Sequence, residues 1–209
     1  MKFLLVLAVL TFAATAAKAA TVFDLTGNGK WATSYRFSED GIGLTAFTGR
    51  QDGSAVSKSS SDWLYQQNRH GLGLYSPGNR KNKEMDGKQI NEIVQFYFDQ
   101  SVHLVSVTFS KVDSNDDFDF YFDTGSGLTE IDDDIDILRN GRYSFLDLWT
   151  GTHFGFGADG RDDNFTIRKI EVAAISNIPL PAALPLYGTG LALMGYLGWR
   201  RRRNDTPDT

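Results

Sequence analysis

Residues 92–110, EIVQFYFDQSVHLVSVTFS, carry the strongest structural signal in the chain. Over 92–98, Val94, Phe96 and Phe98 fall on one side of the backbone and Ile93, Gln95 and Tyr97 on the other, the period of two that belongs to a pleated strand. The stretch is rich in β-branched and aromatic residues, which suit a half-buried sheet surface. Asp99-Gln100-Ser101 reads as a break, so residues 102–110 predict a second strand. These two are the expected centre of the fold.

Working outward, Trp31, Thr33, Tyr35 and Phe37 alternate with Ala32, Ser34, Arg36 and Ser38, and "SEDG" (38–41) turns the chain toward Ile42, Leu44 and Ala46. A hairpin follows from that pattern. Residues 118–122 and 165–175 predict further strands, the latter changing parity between Ile167 and Ile170 as a bulge requires. "RNGR" (139–142) predicts a type I′ hairpin joining residues 134–138 to 143–149, because Asn140-Gly141 tolerates the two positive φ angles. Residues 50–62 and 76–89 are polar and read as surface loops. No stretch before Pro179 keeps a helical apolar period over three turns. Many short strands, Gly-rich turns and no helix predict an all-β fold, an antiparallel β-sandwich of jelly-roll-like form, over residues 20–177.

The two ends read differently. Residues 1–19 hold Lys2, an apolar run from Phe3 and a small-residue site at Ala17 and Ala19, the pattern of a signal peptide cut by signal peptidase after Ala19. Between that leader and residue 178 there are 15 Lys+Arg against 24 Asp+Glu, a net charge of −9. So acidic a domain repels phosphate backbones, which excludes nucleic acid as a partner. Cysteine is absent, which excludes thiol catalysis and thiolate metal sites.

Candidate sites are few. Between Val112 and Leu138 stand ten Asp or Glu and no Lys or Arg. Within that run Asp113, Asn115 and Asp117 follow the first half of an EF-hand spacing, and "DDD" (132–134) and "DGRDD" (159–163) offer further oxygens, so Ca²⁺ is the candidate cofactor. Phe118 stands where the EF-hand turn glycine belongs. "GFGADG" (155–160) matches G-x-G-x-x-G, but no apolar helix follows it and the phosphate site needs that helix N-terminus; its glycines are expected to serve a turn between strands. His70, His103 and His153 are scattered outside any hydrolase or zinc motif, and His103 reads as a strand residue. No catalytic or other cofactor-binding residue is identified. Trp63, Tyr65, Tyr75 and Trp149 near expected loops are rings on which sugars could stack, which makes polysaccharide a candidate partner. A small glycan hydrolase using two carboxylates is the alternative from another class.

The C-terminus decides destination. Residues 182–199 hold eighteen positions without a charge, the length of a transmembrane helix, and Arg200, Arg201, Arg202 and Arg203 follow as a stop-transfer cluster. Residues 204–209 are then a short cytoplasmic tail and the acidic domain lies outside. Pro179, Pro181 and Pro185 hold the approach to this span rigid and extended.

The arrangement resembles a PEP-CTERM sorting signal of the VPLPA type, found on exported proteins of Gram-negative bacteria that make extracellular polysaccharide. The likeness covers residues 178–203 in three parts. Pro179, Leu180, Pro181 and Ala182 fit the motif with Ile178 in place of its usual Val, and the span and the arginines complete it. The six residues after the arginines extend beyond the usual end. More loosely, "GLGLYS" (71–76), "NEIVQFYF" (91–98) and "DDNFTIRKIEV" (162–172) resemble sandwich domains carried by such proteins. The resemblance implies an exosortase as processing partner near the proline motif, an inner-membrane-anchored intermediate, and a final place at the cell surface or in the extracellular matrix. The expected role is non-enzymatic, structural or adhesive, in exopolysaccharide or biofilm.

Overall fold

A computed structural model of the chain describes residues 20–52, 55–77, 83–88 and 90–175, together with 188, 190–196 and 199–200. The strands are β1 (Thr21–Asp24), β2 (Trp31–Ala32), β3 (Ser34–Glu39), β4 (Ile42–Asp52), β5 (Ala55–Lys58), β6 (Trp63–Gln67), β7 (Gly71–Tyr75), β8 (Glu92–Ser110), β9 (Asp117–Asp123), β10 (Leu128–Asp136), β11 (Arg142–Ser144), β12 (Thr150–Ala158) and β13 (Thr166–Ala174). The all-β expectation holds, and among the described residues every pairing is antiparallel.

The two expected central strands are one. Strand β8 runs unbroken through Asp99, Gln100 and Ser101, all exposed. Its first half lies between β4, with Leu44 opposite Phe98, and β12, with Phe154 opposite Phe96. Its second half lies between β13 and β11. Three polar residues in a row therefore mark the place where the strand changes neighbours, not a turn. From β12 the sheet continues to β9 and β10; from β13 it continues to β7, β6 and β2. The strands form one curled, hydrogen-bonded network.

Curling brings the apolar faces together. Phe23 of β1 meets Phe98 of β8 with ring centroids 5.7 Å apart, and Phe109 of β8 meets Phe156 of β12 at 6.2 Å. Phe156 also touches Phe96, Phe118, Phe120 and Phe145. Burying one such ring contributes about 1.5–3 kcal/mol, so this aromatic centre supplies much of the stability that disulfides cannot. A smaller cluster of Ile93, Tyr121 and Leu128, with Val56 against it, covers the opposite face.

Several local expectations hold. The 38–41 turn joins β3 to β4 with Glu39 opposite Ile42 and positive φ at Asp40 and Gly41. The β13 bulge falls at Arg168, between the pairs Ile167–Phe109 and Lys169–Thr108. Others need correction. The strand expected over 31–38 is broken at Thr33, so that Trp31 pairs with Tyr65 of β6 while Tyr35 stays with β4. The 139–142 turn is not a type I′ hairpin: Gly141 has positive φ, Asn140 does not, and the flanking strands pair elsewhere, β10 with β9 and β11 with β8. Strand β11 ends at Ser144, and Leu146 and Leu148 stand 98% and 79% exposed. The loop expected at 50–62 contains the β4–β5 hairpin. In the one expected at 76–89, Met85 is fully buried and bridges to Phe165. Gly155 and Gly157 lie inside β12 and not in a turn; a Cβ at Gly157 would stand 2.8 Å from Tyr121 Cε2, so the bare backbone there leaves room for that ring.

The chain divides into two units, residues 1–175 and 176–209. In the second, residues 188, 190–196 and 199–200 are helical, and Leu191, Leu193 and Met194 are exposed. Among the described residues no helix is long and apolar enough to cross a membrane. The leader 1–19 with Ala17 and Ala19, the motif from Ile178 to Ala182, Arg201 to Arg203 and part of the expected span lie outside the described residues.

Candidate functional site

Two groups of side chains stand apart from the core. The first is built on β2, β6 and β7. Register places Trp31 opposite Tyr65, and Trp63 opposite Tyr75. Because successive side chains alternate faces, Trp63 and Tyr65 share the outward side of β6 while Leu64 between them is buried. Trp31 lies 4.4 Å from Tyr65 and 5.3 Å from Tyr75, centroid to centroid. Trp31 and Trp63 remain 42% and 43% exposed.

An open groove of about 490 Å³ adjoins this face at Tyr65, lined among others by Asn28, Asn68, Arg69, His70 and Lys83. Lys83 Nζ donates to the Tyr65 hydroxyl at 3.1 Å and stands 4.3 Å from that ring's centroid. Its carbonyl accepts from Gln67 Nε2 at 2.5 Å. Gly73 admits this crossing, since a Cβ there would lie 1.8 Å from the Lys83 carbonyl oxygen.

Of the four rings singled out from the sequence, Trp63, Tyr65 and Tyr75 share this face. Trp149 does not: it packs on Phe120 and Phe122 at 5.4 and 5.3 Å, at the flank of the core. Trp31 was missed because a single strand over 31–38 would turn it inward. The glycine pair at 27 and 29 just before it was the available sign that the chain changes course there.

The second group is acidic. Asp119, Asp133, Asp134 and Asp159 bring one carboxylate oxygen each within 4.8 Å of one another, as do Asp117, Asp159 and Asp163. The β10 segment 132–134 and the loop 159–163 thus meet β9. Register shifts in β10, with positive φ at Asp134, turn its aspartates toward Asp119. Burial, then the Asp159 charge, pushes the Asp119 carboxyl up to about 8. Burial, then Asp163, Asp134 and Asp159, pushes Asp117 up to about 7. The Asp117 Oδ1 atom is buried without a hydrogen-bond partner among the described residues. Such a set can share protons or offer oxygens to a hard divalent cation.

The EF-hand-like triple is not assembled. Asp113 Oδ1 accepts from the Asn115 backbone N–H at 3.1 Å, and Asn115 Nδ2 donates to the Asp162 carbonyl at 3.2 Å, so these two brace turns while Asp117 alone joins the acidic group. The histidines stay dispersed: His70 bonds Ser110, His103 of β8 bonds Thr150, and His153 lies between Gln95 and Asp123. Elsewhere the buried Asp62 pairs with the partly exposed Arg50 at 2.5 and 2.7 Å, and Glu92 is buried as well. The chain matches no protein-family model and no curated protein.

Proposed function

We propose that this chain is an exported surface or extracellular-matrix protein with a non-enzymatic, adhesive role, whose domain, in form a jelly-roll-like sandwich, holds polysaccharide on the face of β2, β6 and β7. The carrying observation is the exposure of Trp31 and Trp63 on the same face as Tyr65 and Tyr75. Large rings left in water on one side of a sheet are what the apolar face of a sugar stacks on. Delivery rests on the sequence alone: the leader ending at Ala19, the motif from Ile178 to Ala182, the apolar span and the four arginines, with exosortase as the processing partner.

Titration calorimetry of the full-length protein against neutral and acidic oligosaccharides tests the binding. Trp31→Ala and Trp63→Ala are each expected to weaken it about tenfold, equivalent to about 1.4 kcal/mol. Glycan binding unchanged in both variants sinks the proposal. A second reading, a carboxylate-dependent glycan hydrolase, is favoured by Asp117 and Asp119 holding protons near neutral pH, as a general acid must. Release of reducing ends, lost in Asp119→Asn, would support it against the first.

A further inference from the structure

The groove beside the aromatic face differs in charge from the rest of the domain. Arg69, in the turn between β6 and β7, and Lys83 both line it, and among the described residues neither has a carboxylate partner. The nearby Glu84 is taken by Lys111 at 2.6 Å. A cationic groove on a domain of net charge −9 is a local exception, and local potential is what selects a charged ligand. Its volume of about 490 Å³ lies within the ~300–1,000 Å³ of small-ligand sites.

Lys83 is held in place at both ends, by Tyr65 on its side chain and by Gln67 on its backbone, so little freedom is lost when an anion arrives. Arg69 adds a planar fork suited to a carboxylate. Asn28 and Asn68 line the same groove with amide groups fit for hydroxyls. Tyr65 belongs to both the groove and the ring cluster, so a chain of sugars lying in one continues onto the other.

We infer that the groove takes a hexuronate unit of a polysaccharide, its carboxylate on Arg69 and Lys83 and the neutral sugars beside it on the Trp31, Tyr65 and Tyr75 rings. The domain's overall negative charge favours a sparsely charged polymer, with one uronate among several neutral sugars, over one charged at every unit. This rests on the glycan-binding reading above and specifies its ligand.

The test uses the full-length protein and three probes: an octasaccharide of gellan, the same octasaccharide after reduction of its carboxyl groups, and an oligothymidylate. Binding is expected to the first, at least about tenfold weaker to the second, and weakest to the third. In Arg69→Gln, an exposed turn position, affinity for the acidic octasaccharide is expected to fall to that of the reduced one, with the circular dichroism spectrum unchanged. Equal affinity for acidic and reduced probes leaves glycan binding standing and overturns the uronate assignment. Binding of neither sugar overturns both. Tighter binding of oligothymidylate makes the groove a single-strand nucleic acid site and overturns the inference.

Discussion

Glu92, Asp117 and Asp119 keep their protons to about 8, 7 and 8, each first of all because burial disfavours the charged form. Between the ordinary carboxyl range and those values the folded chain holds more protons than the unfolded one, so stability falls as pH rises through that window. Asp62 acts the other way: burial raises it, the hydrogen bonds and charge of Arg50 with the hydroxyls of Ser59 and Ser76 together outweigh burial, and its contribution is lost only in acid. The urea midpoint is therefore expected to drop between about pH 5 and about pH 8, less steeply in Asp119→Asn. If calcium occupies the cluster, millimolar calcium raises the midpoint at the upper pH and not at the lower one; no change at either removes calcium as a cofactor. Asp62→Ala removes the carboxylate that the partly exposed Arg50 guanidinium bonds and is expected to cost about 1.5 kcal/mol in chemical denaturation. Gly73→Ala forces the Lys83 carbonyl away and is expected to lower both thermal midpoint and glycan affinity. A variant with lower affinity but an unchanged midpoint would contradict that linkage.

Among the elements, β8 and β12 decide most. Phe156 touches rings from β8 and β9 and from the segment after β11, so Phe156→Ala removes the hub of the core and is expected to cost about 3–5 kcal/mol. Amide exchange is expected to be slowest in residues 93–97 and 103–109, where β8 has a partner on each side, and faster at 99–101. Equal exchange along the strand would mean the bend is as firmly held as the halves. Strand existence was legible because alternation is a local property, and the β13 bulge was legible from its parity change. Partners were not. The Asn140-Gly141 pair reads as a hairpin by turn chemistry, but β10 and β11 each find a more apolar neighbour, β9 and β8, and pairing follows burial. Residues 92–95 lose their alternation for the same reason: Ile93 is covered on the outer face by Tyr121 and Leu128, and Gln95 Nε2 donates to the Ser57 carbonyl.

At the scale of the molecule, the expected export signals and the β-strands occupy separate segments. Replacing Pro179 and Pro181 by Ala is expected to leave Arg200 to Arg203 on the protein recovered from cells, read by intact mass and fractionation. Loss of those arginines in spite of the replacement would show that the motif is not what is read. The sequence by itself determined the all-β class, the 38–41 hairpin and the acidity of the domain, and it carries the expectation of destination, because each depends on periodicity, composition or a contiguous signal. Only the tertiary structure decided that two strands are one, that Trp31 joins Tyr65 and Tyr75, and that Asp117 and Asp119 meet Asp159 from some forty residues away. Those outcomes depend on which apolar faces close on one another as the sheet curls, and no local pattern encodes that choice.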